Sequence, residues 1–192
     1  GEKQMMKRVM TILAAGAHPD DIEISCAGTL AKYAQEGHKV YISVTCRGNA
    51  GTKHLSANEI VKIRAEEAKK AAEVIGGKLI TLNFGDGEVF HNRESLTTFI
   101  DLIRRTKPDI IFTHSPEEKD WHNDHSITRQ LIIDASIWAT HRNLGMKSTY
   151  PPTEITPSLF YFEPYITGFN SFPTRYVDIT STFEIKKKAL ST

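Results

Sequence analysis

Val9-Met10-Thr11-Ile12-Leu13-Ala14-Ala15-Gly16-Ala17-His18-Pro19-Asp20-Asp21 runs from an apolar segment straight into one imidazole and two carboxylates. A short aliphatic run bounded by turn residues reads as a buried strand. When such a strand stops at side chains that can bind metal or move protons, it reads as the ligand-binding edge of an open parallel sheet. The rest of the chain repeats the unit. Val40 to Thr45, Lys78 to Leu82 and Asp109 to Thr113 read as further strands, and the first strand spans Val9 to Ala15. Helical patterns lie between them: Ile22 to Gln35 ending at Glu36-Gly37, Asn58 to Ile75 ending at Gly76-Gly77, and Glu94 to Thr106 stopping before Pro108. This βαβα order predicts an α/β fold, Rossmann-like and doubly wound, with a mainly parallel sheet, flanking helices and right-handed crossovers.

Beyond the fourth strand the pattern predicts a helix over Ile127 to His141 and a loop, Asn143 to Pro157, that carries Gly145, Pro151, Pro152 and Pro157 and is placed to cap the mouth of the sheet. Two short segments follow, Leu159 to Phe162 and Arg175 to Ile179. Phe183 to Leu190 begins an amphipathic helix with no stop signal before Thr192. The expectation is one domain over residues 1–192 that continues past the C-terminal end of this chain. At 192 residues and 40% hydrophobic content, folding would bury roughly 70% of the unfolded surface.

Composition excludes several classes. Lys and Arg total 24 against 23 Asp and Glu, for a net charge of +1, which argues against a nucleic-acid groove. No stretch reaches the ~20 apolar residues of a membrane span. Lys7-Arg8 followed by the Val9 to Ala17 run imitates a secretory signal, but that reading would discard the strand feeding the site. Cys26 and Cys46 read as small buried thiols, reduced in a cytoplasmic protein. The first strand lacks G-x-G-x-x-G, so no dinucleotide site is expected.

A second cluster, Asp120-Trp121-His122-Asn123-Asp124-His125, follows the Asp109 to Thr113 strand. His18 and Asp21 are three residues apart, so a turn at Pro19 leading into a helix lets both converge on one ion. His125 arriving from the second cluster completes two imidazoles and a carboxylate, a composition that catalytic zinc uses while keeping a position for water. Iron(II) suits the same donors. Asp20, adjacent but free of the metal, is placed to take a proton from that water. The competing reading makes Asp20 or Asp21 a helix cap and His122 to Asp124 a plain helix start.

Both clusters resemble the paired signatures of the LmbE-like, PIG-L-type family of zinc-dependent N-acetylglucosaminyl deacetylases: Ala-His-Pro-Asp-Asp after the first strand and His-x-Asp-His before a later helix. The likeness extends more loosely to Tyr161-Phe162-Glu163-Pro164 and Val177-Asp178-Ile179-Thr180. It implies His18, Asp21 and His125 as zinc ligands, Asp20 as general base, His122 as the imidazole that stabilises the oxyanion or protonates the leaving amine, and Asp124 as its carboxylate partner. It also implies Arg47 and Arg64 as contacts to substrate hydroxyls or phosphate, with surface ion pairing as the alternative. Asp86 reads as a turn residue or a sugar contact, and Trp121 as a stacking surface for a sugar or a loop-packing residue. The implied substrate is a small amino-sugar derivative. A hydratase of unsaturated dicarboxylic acids from the same family and a non-enzymatic metal-binding domain are the alternatives, and a homo-oligomer is compatible with all three. His114, at the end of the fourth strand, reads as an outer partner of the metal or a structural residue. His38 and His54 read as solvated.

Overall fold

The computed structural model describes residues 8–116, 122–143, 148, 150–162 and 173–192. The strands are β1 (Thr11–Gly16), β2 (Lys39–Cys46), β3 (Lys78–Phe84), β4 (Ile110–Thr113) and β5 (Ser158–Tyr161). The helices are α1 (Asp21–Ser25), α2 (Ala27–Gln35), α3 (Ala57–Ile75), α4 (Arg93–Thr106), α5 (Asn123–Trp138) and α6 (Phe183–Leu190). The sheet order is β3-β2-β1-β4-β5, and every pairing is parallel. The expected doubly wound architecture is present, and the chain reverses its direction of travel across the sheet between β1 and β4, where such folds open a ligand crevice.

β1 shows why the sheet is covered on both faces. Its period of two sends Ile12 and Ala14 into a core with α1, α2, α3 and α6, and Leu13 and Ala15 into a core with α4 and α5. α3 is opened by a capping box, in which Ser56 Oγ accepts from Glu59 N–H and the Glu59 carboxylate accepts from Ser56 N–H. It is closed by Gly76 at φ 87°.

Three expectations need correction. The single helix expected over Ile22 to Gln35 is two, broken at Cys26 (φ −141°, ψ 13°). The Ile24 carbonyl accepts from Lys186 Nζ at 2.7 Å, so a lysine from α6 takes the acceptor that Gly28 N–H would use in a continuous helix. α5 begins at Asn123, four residues before the expected Ile127, so His125 lies in its first turn. His38 is buried rather than solvated, its Nδ1 accepting from Met10 N–H at 3.1 Å.

The segment read at Arg175 to Ile179 forms no strand. It ends in a 3-10 turn, Thr180–Thr182, that docks on α2. Thr182 Oγ1 donates to Gly28 O at 2.7 Å, and Lys32 Nζ donates to Asp178 O at 2.9 Å. Gly28 permits this approach, because a Cβ there would lie 2.7 Å from Ile179 Cδ1. Cys26 and Cys46 are buried and unbridged. Among the described residues no helix is long and apolar enough to cross a membrane.

Past the end of α5, the buried Arg104 of α4 takes up carbonyls: Nε donates to Ala139 O at 3.0 Å, Nη2 to His141 O at 2.8 Å and Nη1 to Tyr150 O at 3.3 Å. A guanidinium here does the work of a helix cap. With charged hydrogen bonds worth about 1.5–3 kcal/mol each, Arg104→Ala is expected to lower unfolding free energy by at least about 3 kcal/mol in urea denaturation. Arg104→Lys should recover only a minor part, because one ammonium lacks the planar fork that reaches three carbonyls.

Candidate metal centre

The turn from β1 into α1 is wound around Asp21. Its Oδ2 accepts from Ala17 N–H at 2.8 Å and His18 N–H at 2.7 Å, so the backbone that presents His18 also aims the Asp21 carboxylate. Gly16 allows the tight path, since a Cβ there would lie 3.0 Å from Asp21 Cβ. α5 delivers His125 from across the switch point. His18 Nδ1 and His125 Nε2 are 3.3 Å apart, His125 Nε2 is 3.4 Å from Asp21 Oδ1, and His18 Nδ1 is 3.8 Å from Asp21 Oδ2. Donors held tetrahedrally at about 2.0–2.1 Å from one ion lie about 3.3–3.4 Å from each other; the His18–His125 and His125–Asp21 Oδ1 distances match that spacing, while the 3.8 Å approach of His18 is to the other Asp21 oxygen, Oδ2. Among the described residues three sets offer donors within 4.8 Å of one another: His18, His122 and His125; Asp21, His114 and His125; and His18, Cys46 and Asp86.

Outer contacts orient this set. His18 Nε2 donates to Asp124 Oδ2 at 3.0 Å, and Asp124 Oδ2 also accepts from Gly87 N–H at 2.9 Å. With its proton facing Asp124, the His18 ring turns the Nδ1 lone pair toward the other donors. The expected partnership of Asp124 with His122 is the looser one, at 3.8 Å from His122 Nδ1. Starting α5 at Asn123 turns Asp124 fully inward, while His122 is the residue before the first turn and stays about a third exposed. The His122 ring still faces the site, 4.4 Å from the His18 ring edge-on and 5.2 Å from the His125 ring, stacked.

His114 is closer to the centre than its sequence context indicates. It is fully buried, its Nε2 lies 3.3 Å from Asp21 Oδ2, and its ring stacks on His125 at 4.0 Å. The available signal was positional: it follows β4, the strand that pairs with β1 across the switch point. Burial would push the Asp21 carboxyl up, but hydrogen bonds and charge from His114 and His125 outweigh it and hold Asp21 well below the ordinary carboxylate range.

Asp20 sits apart from the three donors. It occupies φ 109°, ψ −26°, a region that favours glycine, and its half-exposed carboxylate accepts from Arg64 Nη2 at 2.9 Å. Arg64 also donates to Pro19 O and, at 2.8 Å, to Glu67. Partial burial and the Asp21 charge raise the Asp20 carboxyl, and Arg64 and His18 work against that rise. Asp20 also borders a cleft of about 340 Å³ walled by Glu23, Arg64, Glu67 and residues 189–192. Glu23, which sequence reasoning missed, is buried there, and burial with the Asp20 and Asp21 charges pushes its carboxyl up to about 7.

The remaining candidates divide. Arg64 is engaged with Asp20. Arg47 is exposed on the same edge, its backbone N–H donating to Phe84 O at 2.9 Å. Asp86 gives both carboxylate oxygens to backbone amides, those of Gly48 and Ala50, each at 2.8 Å. Trp121 and Asp120 lie outside the described residues.

The chain is 30% identical over 191 residues to the diacetylchitobiose deacetylase of Thermococcus kodakarensis, covering 96% of this chain and 69% of that protein. It is 24% identical over 200 residues to a 4-oxalmesaconate hydratase of Pseudomonas putida, covering 98% of this chain and 75% of that one. Among solved structures, the N,N'-diacetylchitobiose deacetylase of Pyrococcus horikoshii superposes with a TM-score of 0.83 at 27% identity, over 94% of this chain and 68% of that one. The family model described as PIG-L, GlcNAc-PI de-N-acetylase, matches residues 13–136, a span that contains His18, Asp20, Asp21, His122, Asp124 and His125. The chain belongs to the PIG-L family.

Proposed function

We propose that this protein is a zinc-dependent hydrolase that removes the N-acetyl group from a small N-acetylglucosamine derivative. The observation that carries the reading is the triangle of His18 Nδ1, the Asp21 carboxylate and His125 Nε2, with edges of 3.3 to 3.8 Å, at the crevice between β1 and β4. Similarity to a diacetylchitobiose deacetylase over nearly the whole chain supports the amide and the amino sugar.

His18, Asp21 and His125 would hold the ion, which when bound supplies Lewis acidity to the acetamide carbonyl and lowers the pKa of a water to about 7. Asp20 takes the proton of the attacking water. Its raised carboxyl makes it a better base than an ordinary aspartate, while Arg64 limits the rise. His122 stabilises the developing oxyanion as a cation and gives its proton to the leaving amine, with Asp124 nearby to favour the charged ring. The hydratase reading calls for several free cations to hold two carboxylates. Among the described residues, Arg64 is committed to Asp20 and Arg47 is exposed on that edge, which favours the deacetylase.

The test is acetate release from a panel of N-acetylglucosamine derivatives, with metal stripped and then restored as zinc or iron(II), beside hydration of an unsaturated dicarboxylate. Metal-dependent acetate release is the expected result. Hydration with no acetate released from any sugar would move the protein to the other chemistry.

A further inference from the structure

The turn after β3 contacts two separate parts of the centre. Asp86 Oδ1 accepts from Gly48 N–H and Oδ2 from Ala50 N–H, each at 2.8 Å, while Asp86 N–H donates to Asn49 Oδ1 at 2.8 Å. These three bonds join the β3–α4 turn to the β2–α3 loop. Gly87 N–H, one residue on, donates to Asp124 Oδ2, the oxygen that holds His18 Nε2. Gly48 in turn packs on the Asp20 side. It has φ 73°, and a Cβ there would lie 3.2 Å from Arg64 Cγ and 3.5 Å from Pro19 Cδ. One dipeptide, Asp86-Gly87, thus touches the support of the metal-facing imidazole and the loop that packs against the Arg64 stem.

We infer that Asp86 is a positioning residue that locks the Gly48–Ala50 loop against Arg64, and through Gly87 holds Asp124 in place behind His18. Each of its oxygens accepts one backbone amide, and an oxygen of the same carboxylate lies within 4.8 Å of donor atoms on His18 and Cys46. A carboxylate suits the task because it accepts two amides at once, and charge-assisted bonds are about twice as strong as neutral ones. Asparagine has a single amide oxygen, and its NH2 would oppose the other backbone N–H donor to donor. The kinetic part of this inference rests on the deacetylase reading; the structural part does not.

The experiment compares wild type, Asp86→Asn and the milder Asn49→Ala, which removes only the acceptor for Asp86 N–H. Backbone amide exchange at Gly48 and Ala50 is followed by NMR without substrate, zinc affinity by competition with a chelator, and acetate release by steady-state kinetics. Exchange at both amides should accelerate about tenfold or more in Asp86→Asn, and less in Asn49→Ala. Zinc affinity should weaken about tenfold, the lower end for losing an outer partner of a ligating histidine, and kcat should fall more than KM rises. Unchanged protection of Gly48 and Ala50 with a raised KM alone would overturn the inference and make Asp86 a substrate contact. Exchange that quickens uniformly along the chain would also overturn it, as a general loss of stability. If no acetylated sugar is turned over by wild type, the deacetylase reading fails, while exchange and zinc affinity still decide the role of Asp86.

Discussion

Asp21→Ala is expected to abolish zinc retention and turnover together. Asp21 is nearly fully buried and does three things at once: it faces His125 Nε2 at 3.4 Å, accepts two backbone amides that shape the β1–α1 turn, and lies 3.3 Å from His114. Without it the donors fall to two imidazoles, and the His18 amide loses its carboxylate acceptor at about 1–3 kcal/mol, while Ala17 N–H keeps a second acceptor, His114 Nε2 at 3.0 Å. Zinc per chain after dialysis should approach zero by elemental analysis, and the unfolding midpoint should drop. His125→Ala separates the two effects, because it leaves the turn intact; it should lose zinc with a smaller loss of stability. Full zinc occupancy in His125→Ala would contradict the ligand assignment and point to the His18 and His122 pair.

The second large effect is expected at Asp20, with the opposite pattern. Asp20→Asn should keep zinc and lose about a hundredfold to ten-thousandfold in kcat, the usual worth of a positioned acid or base. Its backbone adds an independent readout. A non-glycine residue at φ 109° stores of order 1–3 kcal/mol of strain, so Asp20→Gly should lose turnover as Asp20→Asn does yet gain about 1 kcal/mol in stability. The Arg64 contact acts against that gain, so Asp20→Asn, which preserves the shape of the side chain, is the reference for the comparison. Wild-type turnover in Asp20→Asn would remove Asp20 as the base and direct attention to Glu23, whose carboxyl is raised to about 7 beside it.

Much of this architecture is legible in local sequence because it rests on local physics. The unbroken apolar run of β1 and the Gly76 stop after α3 each mark their element within a few residues, and the repeated strand–helix order implies a parallel sheet. The two polar clusters are legible because one follows β1 and the other opens the helix after β4, the strand the topology places beside β1. What stays hidden depends on partners distant in the chain. The break at Cys26 accompanies a bond from Lys186, and Arg104 serves carbonyls beyond α5 that no local pattern connects to α4. Asp124 illustrates the same limit: its place in His-x-Asp-His pairs it with His122, whereas the helix start turns it toward His18. His114 and Asp86 likewise take their roles from strands that meet only in the folded sheet.

The most direct test of the account is anomalous diffraction at the zinc edge from crystals of the zinc-loaded protein. The predicted result is a single strong peak bonded to His18 Nδ1, the Asp21 carboxylate and His125 Nε2, with Asp20 outside bonding distance. A peak centred on Asp21, His114 and His125 with His18 uncoordinated, or one held by His18, Cys46 and Asp86, would contradict it.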